Sequence, residues 1–427
     1  MRIGHSGDWH TTVGPRWETQ LLVLGYVADD GMRQGVHLWT VGGDLAGTTV
    51  PHKAEPAERN ANARTLQMMA AHAPVVVIEG NHEYPGDLEI YGRLAGRYPI
   101  HAVTQPDVLE LDTAAGPVRV YCLPYPSKRW LVGAGSGGAV ADQKVEMETH
   151  LRTLLTAWRL DAADWRARGV PTVLLFHGNV GGSVTGGGEV MLGREIELAP
   201  HDLDELGVDV ALCSHIHKFQ QVGVRGWFAG SPTAQNHGEP DVKGYLLADV
   251  VAGQPPVVTF RPTPARRLLT VDVDLHPGPS LIEQLDAGGD RWQGIAGAEV
   301  RVRARYHEEE ADSVPSTALL TSWAIDSCGA AAVVVERTPI PRTRSRLTGV
   351  QVAVAGDGDT PPAMGAGDDT LRTPPPATVD ASVAWSTAGD PAEKLRLFWQ
   401  LLGARAPDAG QQARCLRKLE TLQAGGS

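Results

Sequence analysis

At 427 residues, with 42% apolar and 21% charged content, the chain is long enough for two domains and has the make-up of a soluble globular protein. A net charge of −12 argues against a generally basic nucleic-acid binder. No apolar run approaches the ~20 residues a bilayer span needs, and the start Met1-Arg2-Ile3-Gly4-His5-Ser6-Gly7-Asp8 has no apolar leader region, so neither membrane insertion nor secretion is expected. The four cysteines, Cys122, Cys213, Cys328 and Cys415, form no C-x-x-C pair and read as reduced thiols of a cytoplasmic protein. Residues 1–257 hold 20 Lys+Arg against 29 Asp+Glu, so most of the net charge lies there. Two bound divalent ions would offset about four of those charges.

In chain order, Arg2 to Ser6 reads as a strand ending in Gly7-Asp8-Trp9-His10. Pro15 to Asp29 has a helical pattern, with Gly31 as its stop. Val36 to Val41 is a strand ending in Gly42-Gly43-Asp44, and Glu55 to Ala73 is helical. Val75-Val76-Val77-Ile78 is an unbroken β-branched run, suited to a strand buried on both faces, and it ends in Glu79-Gly80-Asn81-His82-Glu83. A short helix is expected within Tyr84 to Arg97, then a strand over Val118 to Leu123. The glycine-rich stretch 133–138 lacks the following Lys-Ser/Thr of a phosphate loop and reads as a flexible connection. Val145 to Ala167 is a long amphipathic helix.

Thr172 to Phe176 is a strand ending in His177-Gly178, and Gly181 to Gly188 is again a loop. Val208 to Cys213 is a strand ending in Ser214-His215-Ile216-His217-Lys218, where alternation puts both histidines on one side of an extended chain. Tyr245 to Val251 reads as an edge strand. After Pro255-Pro256 the composition changes, and residues 266–349 read as a small α/β unit. Residues 356–378 are rich in Pro, Gly and Asp, as a linker would be. The end is helical: Leu395, Phe398, Trp399 and Leu402 fall at i, i+3, i+4 and i+7 behind a capped start at Asp390.

Five strand ends therefore carry Asp8 and His10, Asp44, Asn81 and His82, His177, and His215 and His217. Ligands of α/β sheets bind beyond the carboxyl ends of the strands. Carboxylate, amide and imidazole donors without thiolate suit Mn²⁺, Mg²⁺, Fe or Zn²⁺. Two ions need about seven protein ligands. Asp8, His10, Asp44, Asn81, His177, His215 and His217 supply that number and leave His82 outside the ligand set.

The order D-x-H, G-D, G-N-H-[DE], H-G, [GS]-H-x-H resembles the calcineurin-like metallophosphoesterase superfamily. More narrowly, Met1 to His10, and Ser214 to Lys218 followed by Gly230-Ser231-Pro232, are similar to the SbcD-type nuclease subunit of double-strand-break repair complexes. The likeness spans roughly residues 1–350, weakening after residue 260. It implies an α/β fold: a metallophosphoesterase β-sandwich flanked by helices over 1–257, a small α/β cap domain that helps bind DNA over 258–350, a linker over 351–379, and a helical partner-docking tail over 380–427. It implies that Asp8, His10, Asp44 and His217 hold one metal ion and Asp44, Asn81, His177 and His215 the other, with manganese preferred and Asp44 bridging. His82 would protonate the departing oxygen, and Glu83 would hold its imidazole in the right tautomer.

The activity implied is hydrolysis of DNA phosphodiesters at duplex ends and in single strands. The implied partners are DNA, an SbcC-like coiled-coil ATPase on the terminal helices, and a second copy of the chain through helices between Glu55 and Arg97. The implied location is cytoplasmic and nucleoid-associated. Arg261, Arg266, Arg267, Arg301, Arg303, Arg305, Arg342, Arg344 and Arg346 are candidate phosphate contacts. The rival readings are a stand-alone phosphodiesterase or phosphatase, and a DNA-end-binding scaffold with feeble catalysis. Three positions depart from the family pattern: Gly47 where His or Asp is common, Glu83 where Asp is usual, and Ser214 where Gly is usual.

Overall fold

The unbroken apolar runs become strands because both of their faces are covered. The computed structural model describes residues 1–47, 54–84, 86–126, 140–185, 196–277, 283, 292 and 294–341. Backbone proximity divides the chain into Met1–Ser345 and Arg346–Ser427. The second unit lies outside the described residues, and with it the expected linker and helical tail. So do the loop 133–138, His52, Arg342 and Arg344.

The elements of the first half are β1 (Arg2–Ser6), α1 (Trp17–Arg33), β2 (Leu38–Val41), α2 (Pro56–Ala70), β3 (Val75–Ile78), a 3₁₀ segment (Asp87–Arg93), β4 (Ile100–Val103), β5 (Asp107–Thr113), β6 (Gly116–Leu123) and α3 (Val140–Ala167). Then come β7 (Thr172–His177), β8 (Asn179–Val180), β9 (Glu197–Leu198), α4 (Pro200–Leu206), β10 (Val210–Ser214), β11 (Gln220–Val222), β12 (Gly226–Phe228), β13 (Gly244–Asp249) and β14 (Val257–Pro262). Two six-stranded sheets form, in the orders β14-β13-β1-β2-β3-β4 and β11-β12-β10-β7-β6-β5.

Period-2 alternation sorts each strand between two cores. Val76 and Ile78 of β3 and Val173 and Leu175 of β7 meet between the sheets, with Ile3, Leu38, Val120, Val210 and Leu212. Val75 and Val77 face outward onto α1 and α2, with Leu24, Val27, Leu66 and Met69. Leu174 and Phe176 face α3 and α4 on the opposite side, with Trp158, Ala162 and Leu203. The result is the expected sandwich flanked by helices.

Two readings of the sequence are corrected. Gly31 does not stop α1, which runs on to Arg33. A Cβ at Gly31 would lie 2.1 Å from the Trp39 indole, so this glycine admits the buried ring against the helix. Likewise β13 is not an edge strand: it pairs antiparallel with β1 on one side and β14 on the other. The edge is β14, whose alternating exposure hides it from an apolar-run reading.

Beyond β14, β15 (Leu268–Asp274), β16 (Glu299–His307) and β17 (Ala332–Ile340) form a three-stranded parallel sheet, with α5 (Thr317–Asp326) linking the last two. It has its own core around Val271, Val300, Val302, Leu320 and Ala324.

Candidate metal centre

β1, β2, β3, β7 and β10 all end at one rim of the sandwich, and each delivers donors there. Asp8 and Asp44 are buried, and so are His10 and His177. Among the described residues, the non-glycine positions with positive φ are Asp8, His10, Asp44 and His215, at 52°, 44°, 53° and 104°. All four carry donors. Such backbone is costly for ordinary side chains and clusters where geometry serves function.

The donors converge in three groups, each with ligand atoms within 4.8 Å of one another: Asp8, His10 and His217; His10, Asp44 and His82; Asp44, His177 and His215. His10 Nε2 lies 3.0 Å from His217 Nε2. Asn81 Oδ1 lies 3.0 Å from His177 Nε2 and 2.9 Å from His215 Nδ1. One oxygen of Asp44, Oδ2, is 3.7 Å from His10 Nε2 and 3.5 Å from His177 Nε2, between the two sets. Ligands about 2.1 Å from an ion and 90–120° apart lie about 3.0–3.6 Å from one another, within about 0.1 Å of these separations, so the donors suit cations in both positions. The structure thus gathers all seven expected donors, with Asp44 central.

Backbone bonds lock the rim. Both Asp8 oxygens accept the His215 N–H at 3.0 Å, tying β1 to β10. Asp44 Oδ1 accepts the His82 N–H at 2.8 Å. Burial alone would raise the Asp44 carboxyl. The imidazoles of His177, His10 and His82 override it and hold the group at about 2. Burial pushes His10 down to about 3 and lowers His177. Ionised Asp44 beside neutral His10 and His177 is the protonation state a divalent ion requires, whereas burial raises the Asp8 carboxyl and, against burial, the Glu239 hydrogen bond raises His217.

His82 sits at the edge of the cluster, its ring T-shaped against His10 at 4.7 Å and its Nε2 4.0 Å from Asp44 Oδ2. It is the farthest of the three imidazoles from that oxygen and the one nearest the open groove. Glu83, expected to set the His82 tautomer, bonds to the main chain of two loops. Its carboxylate accepts the backbone N–H groups of Asp44 (2.9 Å), Gly80 (2.7 Å) and Leu45 (2.7 Å). Glu83 therefore clamps the β2 and β3 loops together. Burial and the neighbouring Asp44 push it up to about 8, against the pull of these three donors.

The other departures from the family pattern have local causes. A Cβ at Gly47 would fall 1.9 Å from Thr12 Oγ1, so Thr12 fills the space a larger residue would need. Ser214 is buried, with its hydroxyl against Gly7 and Gly42, where an added Cβ would come within 2.3 and 1.9 Å of it.

A groove of about 460 Å³ opens over the cluster, lined by His10, Asn81, His82, His215, His217 and Arg16 among others. Arg16 was not among the expected site residues because it reads as a helix start. Its Nη1 donates to the carbonyl oxygens of Ala234 and Gln235, and no carboxylate among the described residues pairs with it. Glu239 and Lys243, which stand behind His217, were also missed. Their only signal is an i, i+4 charge pair just before the β13 apolar run.

Of the six described candidate phosphate-contact arginines, four are matched by acids. Arg261 forks onto Asp30, Arg305 onto Asp274, and Arg301 and Arg303 approach Glu336 at 3.8 Å. Arg266 and Arg267 line a cavity of about 490 Å³ beside Glu18, Thr19 and Leu22 of α1.

A family model described as calcineurin-like phosphoesterase matches residues 1–219. Among solved structures, the chain is similar to GAP50, the anchor in the inner membrane complex of Plasmodium, at 13% identity and a TM-score of 0.41, covering 61% of this chain and 84% of that one. It is similar to a dimetal phosphatase from Danio rerio at 12% identity and a TM-score of 0.38, covering 61% and 96%. A protein from Thermus thermophilus matches at 12% identity and a TM-score of 0.36, covering 61% and 98%.

Proposed function

The chain belongs to the calcineurin-like phosphoesterase family of metal-dependent hydrolases, and from that premise we propose that it is a two-metal, manganese-preferring DNA nuclease. It hydrolyses phosphodiesters at duplex ends and in single strands, and it acts with an SbcC-like ATPase in DNA repair and recombination. The observation that carries a polynucleotide rather than a small ester is the setting of α1. Its N-cap Arg16 and first-turn Gln20 border the metal groove, and its Glu18 and Thr19 border the second cavity, with Arg266 and Arg267. A polyanion lying along that turn meets guanidinium groups beyond the scissile phosphate.

Bound ions supply an activated water and screen the phosphate charge. Asp8, His10, Asp44 and His217 would hold one, and Asp44, Asn81, His177 and His215 the other, with Asp44 common to both sets. Arg16, anchored by two carbonyl oxygens and with N–H groups to spare, holds an oxygen of a phosphate next to the scissile one. His82, at the groove's edge, gives its proton to the departing sugar oxygen. Its main chain is pinned to Asp44, so the donor keeps its place relative to the ions.

The test is degradation of end-labelled linear duplex DNA with Mn²⁺, beside hydrolysis of bis-p-nitrophenyl phosphate. His82→Ala should retain two Mn²⁺ per chain and lose about 10²–10⁴-fold in turnover of DNA, with a smaller loss on the diester, whose nitrophenolate leaves without a proton. Turnover of the small diester with DNA untouched, even when the ATPase is added, would overturn the nuclease reading. The stand-alone phosphodiesterase is the second reading. It is favoured by the ion-paired state of Arg301, Arg303 and Arg305, which leaves little free basic surface. The amphipathic pattern of the tail supports the ATPase partnership: deleting residues 380–427 should abolish co-purification with that ATPase while short DNA is still cut. Unchanged co-purification would refute it.

A further inference from the structure

Behind His217, on the side away from the groove, lies a charge pair with almost no access to water. Glu239 and Lys243 side chains are 5% and 4% exposed, and Lys243 Nζ sits 2.6 Å from Glu239 Oε2. Glu239 Oε1 faces His217 Nδ1 at 3.2 Å and accepts from Asn236 Nδ2 at 3.0 Å. Lys243 also donates to the His217 carbonyl at 3.0 Å, so the pair grips both ring and main chain. The neighbouring backbone completes the shell: the Gln235 N–H reaches Glu239 Oε2 at 3.3 Å, and Gln235 Nε2 reaches the Trp9 carbonyl at 3.4 Å.

An ionised carboxylate only accepts, so the proton of the His217 ring must be on Nδ1. The Nε2 lone pair is then the one aimed at His10 and Asp8, as an ion ligand requires. Lys243 is what allows Glu239 to stay ionised in so dry a place, since a lone buried carboxylate is strongly disfavoured. His177, in the other ligand set, is backed differently: its Nδ1 meets the neutral carbonyl oxygen of Gly42. A carboxylate behind an imidazole fixes its ring and makes it a stronger donor than a carbonyl does.

We propose that Glu239, paired with Lys243, is a positioning residue for His217 and makes the Asp8–His10–His217 position the tighter of the two ion sites. This rests on the two-ion reading of the centre and not on DNA being the substrate.

The experiment is equilibrium dialysis of metal-stripped full-length protein against graded Mn²⁺, with bound metal counted per chain. Glu239→Gln alone leaves a buried ammonium unpaired and risks misfolding, so the informative variant is Glu239→Gln/Lys243→Met, which removes both charges at similar volume. Its metal-free melting temperature reports whether it folds. His217→Ala marks which binding step belongs to this position. In the double variant that step should move to about 10–100-fold higher Mn²⁺ while the other stays within about twofold. Wild type binding two ions, with the double variant's curve unshifted or both steps shifted together, overturns the role of Glu239. Wild type binding fewer than two ions overturns the two-ion reading itself.

Discussion

The parallel strands of the sandwich and the parallel strands β15, β16 and β17 share a geometry and treat charge in opposite ways. In the small sheet, charges sit at exposed positions and are matched across the register: Arg305 stands opposite Asp274, and Arg303 opposite Glu336. Each such pair lies open to water and contributes about 0–1 kcal/mol. In the sandwich, Asp8 and Asp44 are 0% and 2% exposed, and among the described residues no Arg or Lys pairs with them. Neutral imidazoles and backbone N–H groups are what they have. Buried charge left without a counter-ion is expensive and persists where something else supplies the opposite charge. That difference marks one strand set as machinery and the other as scaffold.

The largest effect that would test the contrast is at its centre. Asp44→Asn should drop bound Mn²⁺ below two per chain and cut turnover of bis-p-nitrophenyl phosphate by about 10³-fold or more, because Asp44 Oδ2 lies between the two donor sets. Full metal content in that variant would mean that the buried acids are structural.

A smaller effect sharpens the contrast between free and paired arginines. Arg16→Ala should lower kcat/KM on DNA by about 10-fold, the worth of one charge-assisted hydrogen bond of about 1.5 kcal/mol, and leave the small diester within about twofold. Arg303→Ala and Arg305→Ala should change DNA cleavage by less than about twofold. Equal losses at all three positions would show that DNA displaces the cross-strand acids.

The smallest effect concerns pH. Burial works against ionised Asp30, but hydrogen bonds from Tyr245 and Arg261 hold its carboxyl below the ordinary 3.8. Its stabilisation is therefore complete above pH 3.8 and fades as pH falls below it toward the lowered folded value. Asp30→Asn should melt lower than wild type near pH 7, with the gap closing below about pH 4. A gap constant down to pH 3 would show that the ion pair does not govern this part of the stability.

Much of the centre was legible in the sequence because its donors follow short strand-like runs, of which β3 is wholly β-branched and buried on both faces. The same logic fails where burial is partial. β4, β5 and β14 carry mixed exposure, and the sequence reading assigns no strand to them. Gly31 looks like a helix stop because sequence alone cannot show Trp39 pressing on it. Glu83 looks like a partner of its neighbour His82, yet its added methylene carries it to the backbone of a different loop. Arg16, Glu239 and Lys243 escape because their roles exist only after distant segments meet: Arg16 is bonded to Ala234 and Gln235, 218 and 219 residues away.

The place of β1 has a consequence for how the protein is made. β1 lies inside its sheet, between β2 and β13, and the bond from the Met1 amino group to the Val250 carbonyl spans 249 residues. The donors follow the same plan, since Asp8 and His10 meet His215 and His217 across 207 residues of chain. Such long-range closure comes late, both in folding and in synthesis. While the ribosome is still adding residues before 215, the growing chain holds Asp8, His10, Asp44, Asn81, His82 and His177 but can complete neither ion position. An interrupted translation product is thus a set of ligands without a centre, and the hydrolytic activity arrives only with a nearly finished core.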